Sequence, residues 1–346
     1  MAVEYDVLFD AMACYDASVG IPIVARRVLA ELRRRGLRVL PFRLRGVAYP
    51  GPDDTEAEEV DDEGLAALAR RCRVLVTCNP VLFGYQHRLP AMRSVAMVHD
   101  LIPSVLWDEP VPRLEGFTKL ACISRTTLRD VQRLLPHAPA VLTPHHFEPR
   151  PVPDPYAHLP MLPKTYVLWM YGALCGRKRF DLALDVLDRL PPAYHLVVPC
   201  ESRASLHRYQ RGLGNRVVVL ERPSDGVVDV LYRDAAAVLV TSMYEGFGLP
   251  LLEAIAAGRP LVAFDVPGVS EVAEGCAALV PFGDVEAAAR AVLRAQLPDP
   301  RRAAETLARY SGHAFVDLVC DEVAAFSAGV PNGDPEQDAA GGPASA

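Results

Sequence analysis

Two glutamates, Glu245 and Glu253, are separated by seven residues that include Gly246, Gly248 and Pro250. A carboxylate only accepts hydrogen bonds when ionised, and it can take two from a vicinal diol such as that of a ribose. The glycines let the backbone turn tightly and approach a ligand. Pro250 suits the first position of a helix, where the missing N–H costs nothing, and Gly258 suits its end. The residues around 247–250, Pro250 excepted, would then present free N–H groups at a positive helix end, a setting that favours phosphate. Glu253, expected in the first turn, leans back toward that end and fits a ribose rather than a phosphate. Glu245, just before the turn, would accept from sugar hydroxyls.

Such a site needs a strand before it and a helix after it. "AAVLVTS" (236–242) is an apolar run of buried-strand type, and a helical pattern occupies 250–257. The rest of the chain has the same alternation. Strand candidates in the first half are 5–9, 37–42, 73–77, 94–99, 119–124 and 140–143, with helical patterns at 20–36 and 125–135. The second half restarts with strands at 165–172, 194–200, 216–221, 236–242, 260–264 and 277–282. Helices are expected at 179–190, 203–212, 225–234, 250–257 and 284–296. This is the signature of βα units and parallel sheets. Residues 144–164 are rich in proline, which cannot join a central strand or a helix interior. The reading is α/β: a Rossmann-like doubly wound domain over 1–150, a linker at 151–164 and a second such domain over 165–310. A helix at 311–330 is expected to return toward the N-terminal domain, with a disordered tail at 331–346. Two doubly wound domains would face each other across a cleft at the carboxyl ends of their strands, where ligands bind.

Composition narrows the class. The 346 residues are 51% hydrophobic and 23% charged, with a net charge of −7. Basic and acidic side chains balance up to His145, so neither half of the chain has the basic excess of a nucleic-acid binder. The eight cysteines include no C-x-x-C pair and several sit in apolar runs. They read as small core residues of a cytoplasmic protein. The N-terminus carries acids where a secretory signal needs bases, and no run is apolar enough to span a bilayer. Helix 20–36 carries five arginines, read as a solvated face in preference to a peripheral membrane contact. The acidic run 53–64 reads as a solvated loop leading into a helix.

The segment "EGFGLPLLEAIAAGRPLVAFDVPGVSEV" (245–272) resembles the E-x7-E signature of retaining glycosyltransferases of family 4, which have the GT-B fold. The resemblance extends over about residues 5–328 and is strongest in 165–296. It implies that the segment binds a nucleotide-sugar donor, with Glu253 on the ribose and Glu245 on the donor sugar. Phe247, Gly248 and Leu249 would offer backbone N–H groups. "YGALCGRKRFDLALDVL" (171–187) is similar to the family's basic segment, which implies that Arg177 and Lys178 neutralise the diphosphate. No Asp-x-Asp occurs, so no metal or cofactor is expected. "MVHDLIPSVLW" (97–107) resembles the family's His-Asp segment, placing His99 and Asp100 beside the transferred sugar. Gly20 in "SVGIPIVARRVL" (18–29) matches the glycine loop that faces the donor phosphates. Two positions depart from the pattern: Ala173 stands where an arginine is frequent, and Pro22 where a second glycine is common. Ser124 reads only as a helix cap.

The implied reaction is transfer of a sugar, with retention, from a nucleotide-diphosphate donor to a hydroxyl or similar acceptor, with a glycan, a lipid and a small metabolite as the alternatives. Residues 46–64 and 80–93 are the acceptor-side candidates. Two rivals share the donor contacts: a GT-B nucleotide-sugar epimerase, and a degenerate non-catalytic binding partner. A dinucleotide dehydrogenase is disfavoured, because "GLGN" (212–215) lacks the third glycine and a preceding strand.

Overall fold

The computed structural model describes residues 3–15, 20–46, 56–80, 92–114, 116–149, 162–170, 176–200, 202 and 214–330. Most of the expected linker, the helix expected at 203–212, the tail 331–346, Ala173 and nearly all of the segment 80–93 lie outside these residues. The chain forms two compact units. One contains the residues up to His145 together with those from His313 onward, and the other runs from His146 to Gly312.

The first unit is built on seven parallel strands: β1 (Tyr5–Asp10), β2 (Val39–Leu44), β3 (Glu58–Val60), β4 (Cys72–Thr77), β5 (Arg93–Val98), β6 (Lys119–Cys122) and β7 (Ala140–Leu142). Their order is β3-β2-β1-β4-β5-β6-β7. The helices here are α1 (Ile21–Arg34), α2 (Asp62–Ala69), α3 (Ile102–Leu106) and α4 (Arg125–Leu134). The second unit has six parallel strands: β8 (Tyr166–Leu168), β9 (His195–Cys200), β10 (Val217–Glu221), β11 (Ala237–Val240), β12 (Leu261–Asp265) and β13 (Ala278–Pro281). Their order is β10-β9-β8-β11-β12-β13. Its helices are α5 (Phe180–Arg189), α6 (Asp225–Asp234), α7 (Leu249–Ala256), α8 (Val269–Ala273), α9 (Val285–Leu293) and α10 (Pro300–Arg309). The last helix, α11 (Ala314–Ser327), packs on β4 and β5 of the first unit.

Both sheets are therefore doubly wound, and the two Rossmann-like α/β units expected from the alternating pattern are present. Their central strands are buried on both faces, which explains why they read as unbroken apolar runs. Strand order reverses between β1 and β4 in one unit and between β8 and β11 in the other. In open α/β sheets these reversals open a crevice at the carboxyl ends of the strands.

Local chemistry sets the helix starts. The Ser124 hydroxyl accepts from the Thr127 amide at 2.9 Å and caps α4, as its position implied. Asp61 and Asp284 cap α2 and α9 in the same way. The acidic run 53–64 departs from the reading as a loop. Glu58–Val60 forms edge strand β3, paired in parallel with β2, and Arg43 and Arg45 reach Glu59 at 3.2 and 3.6 Å. Its charges are compatible with an edge strand, whose outer side faces water. Of the five arginines in and after α1, Arg27, Arg33, Arg34 and Arg35 are exposed, as a solvated face requires, and some also make contacts. Arg34 and Arg35 pair with the buried Glu31, and Arg26 donates to the Cys14 carbonyl at 2.8 Å. Hydrogen bonding from Arg34, against the opposing effect of burial, holds the Glu31 carboxyl down at about 2.

Candidate active site

The crevice between β8 and β11 is occupied by charge. After β8 the chain reaches Arg177 and Lys178, and after β11 it reaches Ser242 and Glu245. Glu245 is only 5% exposed. Its Oε1 accepts from the Lys178 ammonium at 2.5 Å and from the Ser242 hydroxyl at 2.6 Å, while Oε2 accepts from the Arg177 guanidinium at 2.6 Å. Burial pushes the Glu245 carboxyl upward, but the charges of Lys178 and Arg177 outweigh it and hold the pKa at about 2. The carboxylate is therefore ionised at any physiological pH.

A scaffold of backbone bonds fixes this cluster. The Trp169 indole donates to the Thr241 hydroxyl at 2.9 Å. That hydroxyl in turn lies 2.8 and 3.0 Å from the carbonyls of Lys178 and Arg179. The Met243 amide donates to the Arg177 carbonyl at 2.8 Å. Arg179 itself sits in the left-handed region at φ 50°, ψ 57°, a costly conformation for a non-glycine residue. The strain lies directly beside the bases that the turn aims at Glu245.

The loop after Glu245 is equally constrained. Gly248, at φ 95°, precedes α7, and a Cβ there would meet the Leu251 side chain at 2.7 Å. Gly268 is tighter still: at φ 81°, its added Cβ would lie 1.8 Å from the Glu245 carbonyl oxygen. The Phe247 side chain is buried edge-on against Tyr310, with ring centroids 5.0 Å apart. Among the described residues, a small cavity of about 10 Å³ lies beside Glu245 and Lys178, room for about one water. Lys178 and Arg177 are 15% and 20% exposed, whereas Glu245 lies beneath them.

Three sequence expectations are modified. Leu249 opens α7, so Pro250 is its second residue rather than its first, because the left-handed Gly248 ends the loop one position early. Glu253 consequently lies in the second turn, not the first. One of its oxygens accepts from the Tyr232 hydroxyl at 2.6 Å. Glu245 was expected to be available to sugar hydroxyls. Three of its roughly four acceptor directions are instead used by its neighbours.

The remaining expected residues lie in the first unit. His99 follows β5, and its Nε2 is 2.8 Å from the Cys78 carbonyl. A carbonyl only accepts, so Nε2 carries the hydrogen. The Asp100 carboxylate accepts from the Ile102 amide at 3.1 Å at the start of α3. Both line a cavity of about 310 Å³ together with Asn79, Pro80, Ser104 and Glu109. Gly20 precedes α1 at φ −94°, and a Cβ there would meet open space, so neither conformation nor contact demands glycine. Lys178, Arg177, Glu245, Phe247, Gly248, Leu249 and Glu253 share the second unit; Gly20, His99 and Asp100 share the first. Among the described residues no group of three His, Cys, Asp or Glu side chains is placed to hold a metal ion.

The residues that sequence reading missed are supports. Ser242 and Thr241 end an apolar run and look like ordinary strand-end polar groups. Gly268 follows Pro267, and that dipeptide already marks a turn. Tyr232 carries no local signal of a role.

Residues 159–309 match the family model described as glycosyl transferases group 1. O-antigen chain mannosyltransferase B of Escherichia coli is 36% identical over 163 residues, 43% of this chain and 43% of that protein. O-antigen chain mannosyltransferase RfbU of Salmonella typhimurium is 30% identical over 113 residues, 31% of this chain and 32% of that protein. The matched stretches thus span less than half of either relative. Among solved structures, a sucrose-phosphate synthase from Thermosynechococcus elongatus superposes with a TM-score of 0.69 at 20% identity, covering 93% of this chain and 94% of that one. The fold is that of the GT-B glycosyltransferases.

Proposed function

We propose that the chain is a retaining glycosyltransferase of family 4, which moves a sugar from a nucleotide-diphosphate donor to a hydroxyl acceptor without a metal ion. The observation that carries this reading is the cluster of Lys178, Arg177 and Glu245 at the β8–β11 reversal, inside the segment matched by the family model. A departing diphosphate needs compensation of its developing negative charge. The partly exposed ammonium of Lys178 and guanidinium of Arg177 supply it, helped by the N-terminal end of α7. Glu245 holds both bases in place and keeps one acceptor direction for the donor sugar. Glu253 accepts from the ribose hydroxyls. The glycosidic bond to phosphate lengthens first, and the leaving phosphate takes the acceptor proton on the same face. Little is then required of a protein nucleophile; positioning and charge do the work.

His99 and Asp100 belong to the acceptor-side unit in this reading, and their cavity is the place for an acceptor hydroxyl. The acceptor is a glycan, a lipid or a small metabolite, handled in the cytoplasm. Among the described residues no helix is long and apolar enough to cross a membrane.

The test is a thermal-shift screen with UDP, GDP, ADP and dTDP in the presence of a chelator, followed by product analysis with the matching sugar donors. A ligand that binds only the folded state raises its stability. Stabilisation by one nucleotide, and a product of unchanged anomeric configuration, are expected. Conversion of the donor without an acceptor would replace the reading with an epimerase. Absence of any shift in folded protein would remove the donor site. In the same assay Glu253→Ala is expected to weaken donor binding by about 2 kcal/mol, the loss of charge-assisted hydrogen bonds.

A further inference from the structure

Tyr232 is a buried aromatic residue near the end of α6, 3% exposed, and its hydroxyl is aimed at a carboxylate on a different helix. The bond to Glu253 Oε2, at 2.6 Å, has the short length of a hydroxyl donating to an ionised oxygen. The ring is held firmly. The preceding residue, Leu231, is wholly buried, and its carbonyl accepts from the Tyr166 hydroxyl of β8 at 2.9 Å. Consecutive residues of α6 are thus tied to the central strand on one side and to α7 on the other. The phenol is a rigid arm on a fixed base, whereas an unheld glutamate has three side-chain torsions to order when a ligand arrives.

We infer that Tyr232 is a positioning residue for the donor: by fixing one oxygen of Glu253 it presets the carboxylate that reads the ribose diol. The inference rests on the donor-site reading of Glu253 given above. A diol demands two acceptor positions at a set spacing, so ordering them before binding strengthens recognition of the diol itself. The nucleobase and phosphates lie beyond the reach of this effect. Loss of the phenol hydroxyl must therefore weaken a ribonucleotide more than its 2′-deoxy counterpart. The competing reading is that the bond only satisfies a buried phenol. That reading predicts equal effects on both nucleotides.

The experiment measures Kd for the best-binding ribonucleoside diphosphate and for its 2′-deoxy analogue, in the unaltered chain, Tyr232→Phe, Glu253→Ala and the double variant. Phenylalanine keeps the buried ring and removes only the hydroxyl. The unaltered chain is expected to prefer the ribonucleotide, and Tyr232→Phe to shrink that preference roughly five- to tenfold. On the Glu253→Ala background, Tyr232→Phe is expected to change the preference no further, as a double-mutant cycle requires of coupled residues. An undiminished preference in Tyr232→Phe overturns the inference, as does equal weakening of both nucleotides with a matching fall in the unliganded Tm. An unaltered chain that binds both nucleotides equally also overturns it and leaves the glycosyltransferase reading standing. An unaltered chain that binds no nucleotide overturns both.

Discussion

The two sheets reverse strand order at equivalent places, yet their crevices differ. In the second unit the described residues beyond β8 and β11 form an ionic cluster beside a cavity of about 10 Å³. In the first unit the residues beyond β4 and β5 surround about 310 Å³. The crevice of the second unit is braced by Glu245, Lys178, Arg177 and Ser242 at hydrogen-bond distance. That of the first unit is lined by half-buried or exposed groups such as Asp100, Ser104 and Glu109. One topology thus supports two designs. In the function proposed above, charges fixed in advance suit a diphosphate, the same chemical group in every nucleotide sugar. On that proposal acceptors vary, and a roomier pocket on loops can change without disturbing the sheet.

Four measurements bear on that contrast. The largest effect is expected from Gly268→Ala. Its Cβ would overlap the Glu245 carbonyl at a left-handed φ, and a destabilisation of at least about 3 kcal/mol should appear in urea unfolding. Near-native stability would show that the Glu245 loop yields, and the rigid half of the contrast would fall.

Glu245→Gln leaves two bases without their buried counter-ion and should cost about 3 kcal/mol at neutral pH. It also has a pH signature. The folded carboxyl sits at about 2, below its ordinary 4.5, so its stabilising contribution is complete above pH 4.5 and is lost as pH falls toward 2. The variant's acid-unfolding curve should accordingly be flatter in that window, where Glu31 still titrates in both proteins. An identical slope would mean that the ion cluster contributes nothing.

Lys178→Ala is expected to lower kcat by about a hundredfold, the scale of losing one charge-stabilising donor, with a smaller change in nucleotide affinity. Unaltered turnover would deny the cluster its role in catalysis. The smallest effect belongs to the open cavity. Glu109→Gln, at an exposed position, should leave stability within about 0.5 kcal/mol and the nucleotide-induced shift unchanged, while altering the acceptor KM. A large loss of stability would make the cavity a structural feature.

Much of the fold was legible along the chain. The strands read from apolar runs recur in place, from β1 to β13, because a strand buried on both faces must be apolar throughout. The exception is β3, whose Glu58 and Glu59 look like a loop until Arg43 and Arg45 are seen opposite. The candidate site was legible in parts. Glu245, Glu253, Arg177 and Lys178 stood out by type and spacing, and the glycines by the turn they allow. Their partnerships did not, since Arg177 and Glu245 are 68 residues apart and meet only where β8 lies beside β11.

The sequence alone determined the alternation of elements, the buried strands, the caps and the residue types available for chemistry. All of these depend on near neighbours in the chain and on burial. Tertiary structure decided that Glu245 would be spent on two bases, that Gly268 would press on its carbonyl and that Tyr232 would hold Glu253. Those outcomes depend on which strand and helix ends are brought together, and a hydrogen bond or an ion pair acts only across the few ångströms that the sheet order creates.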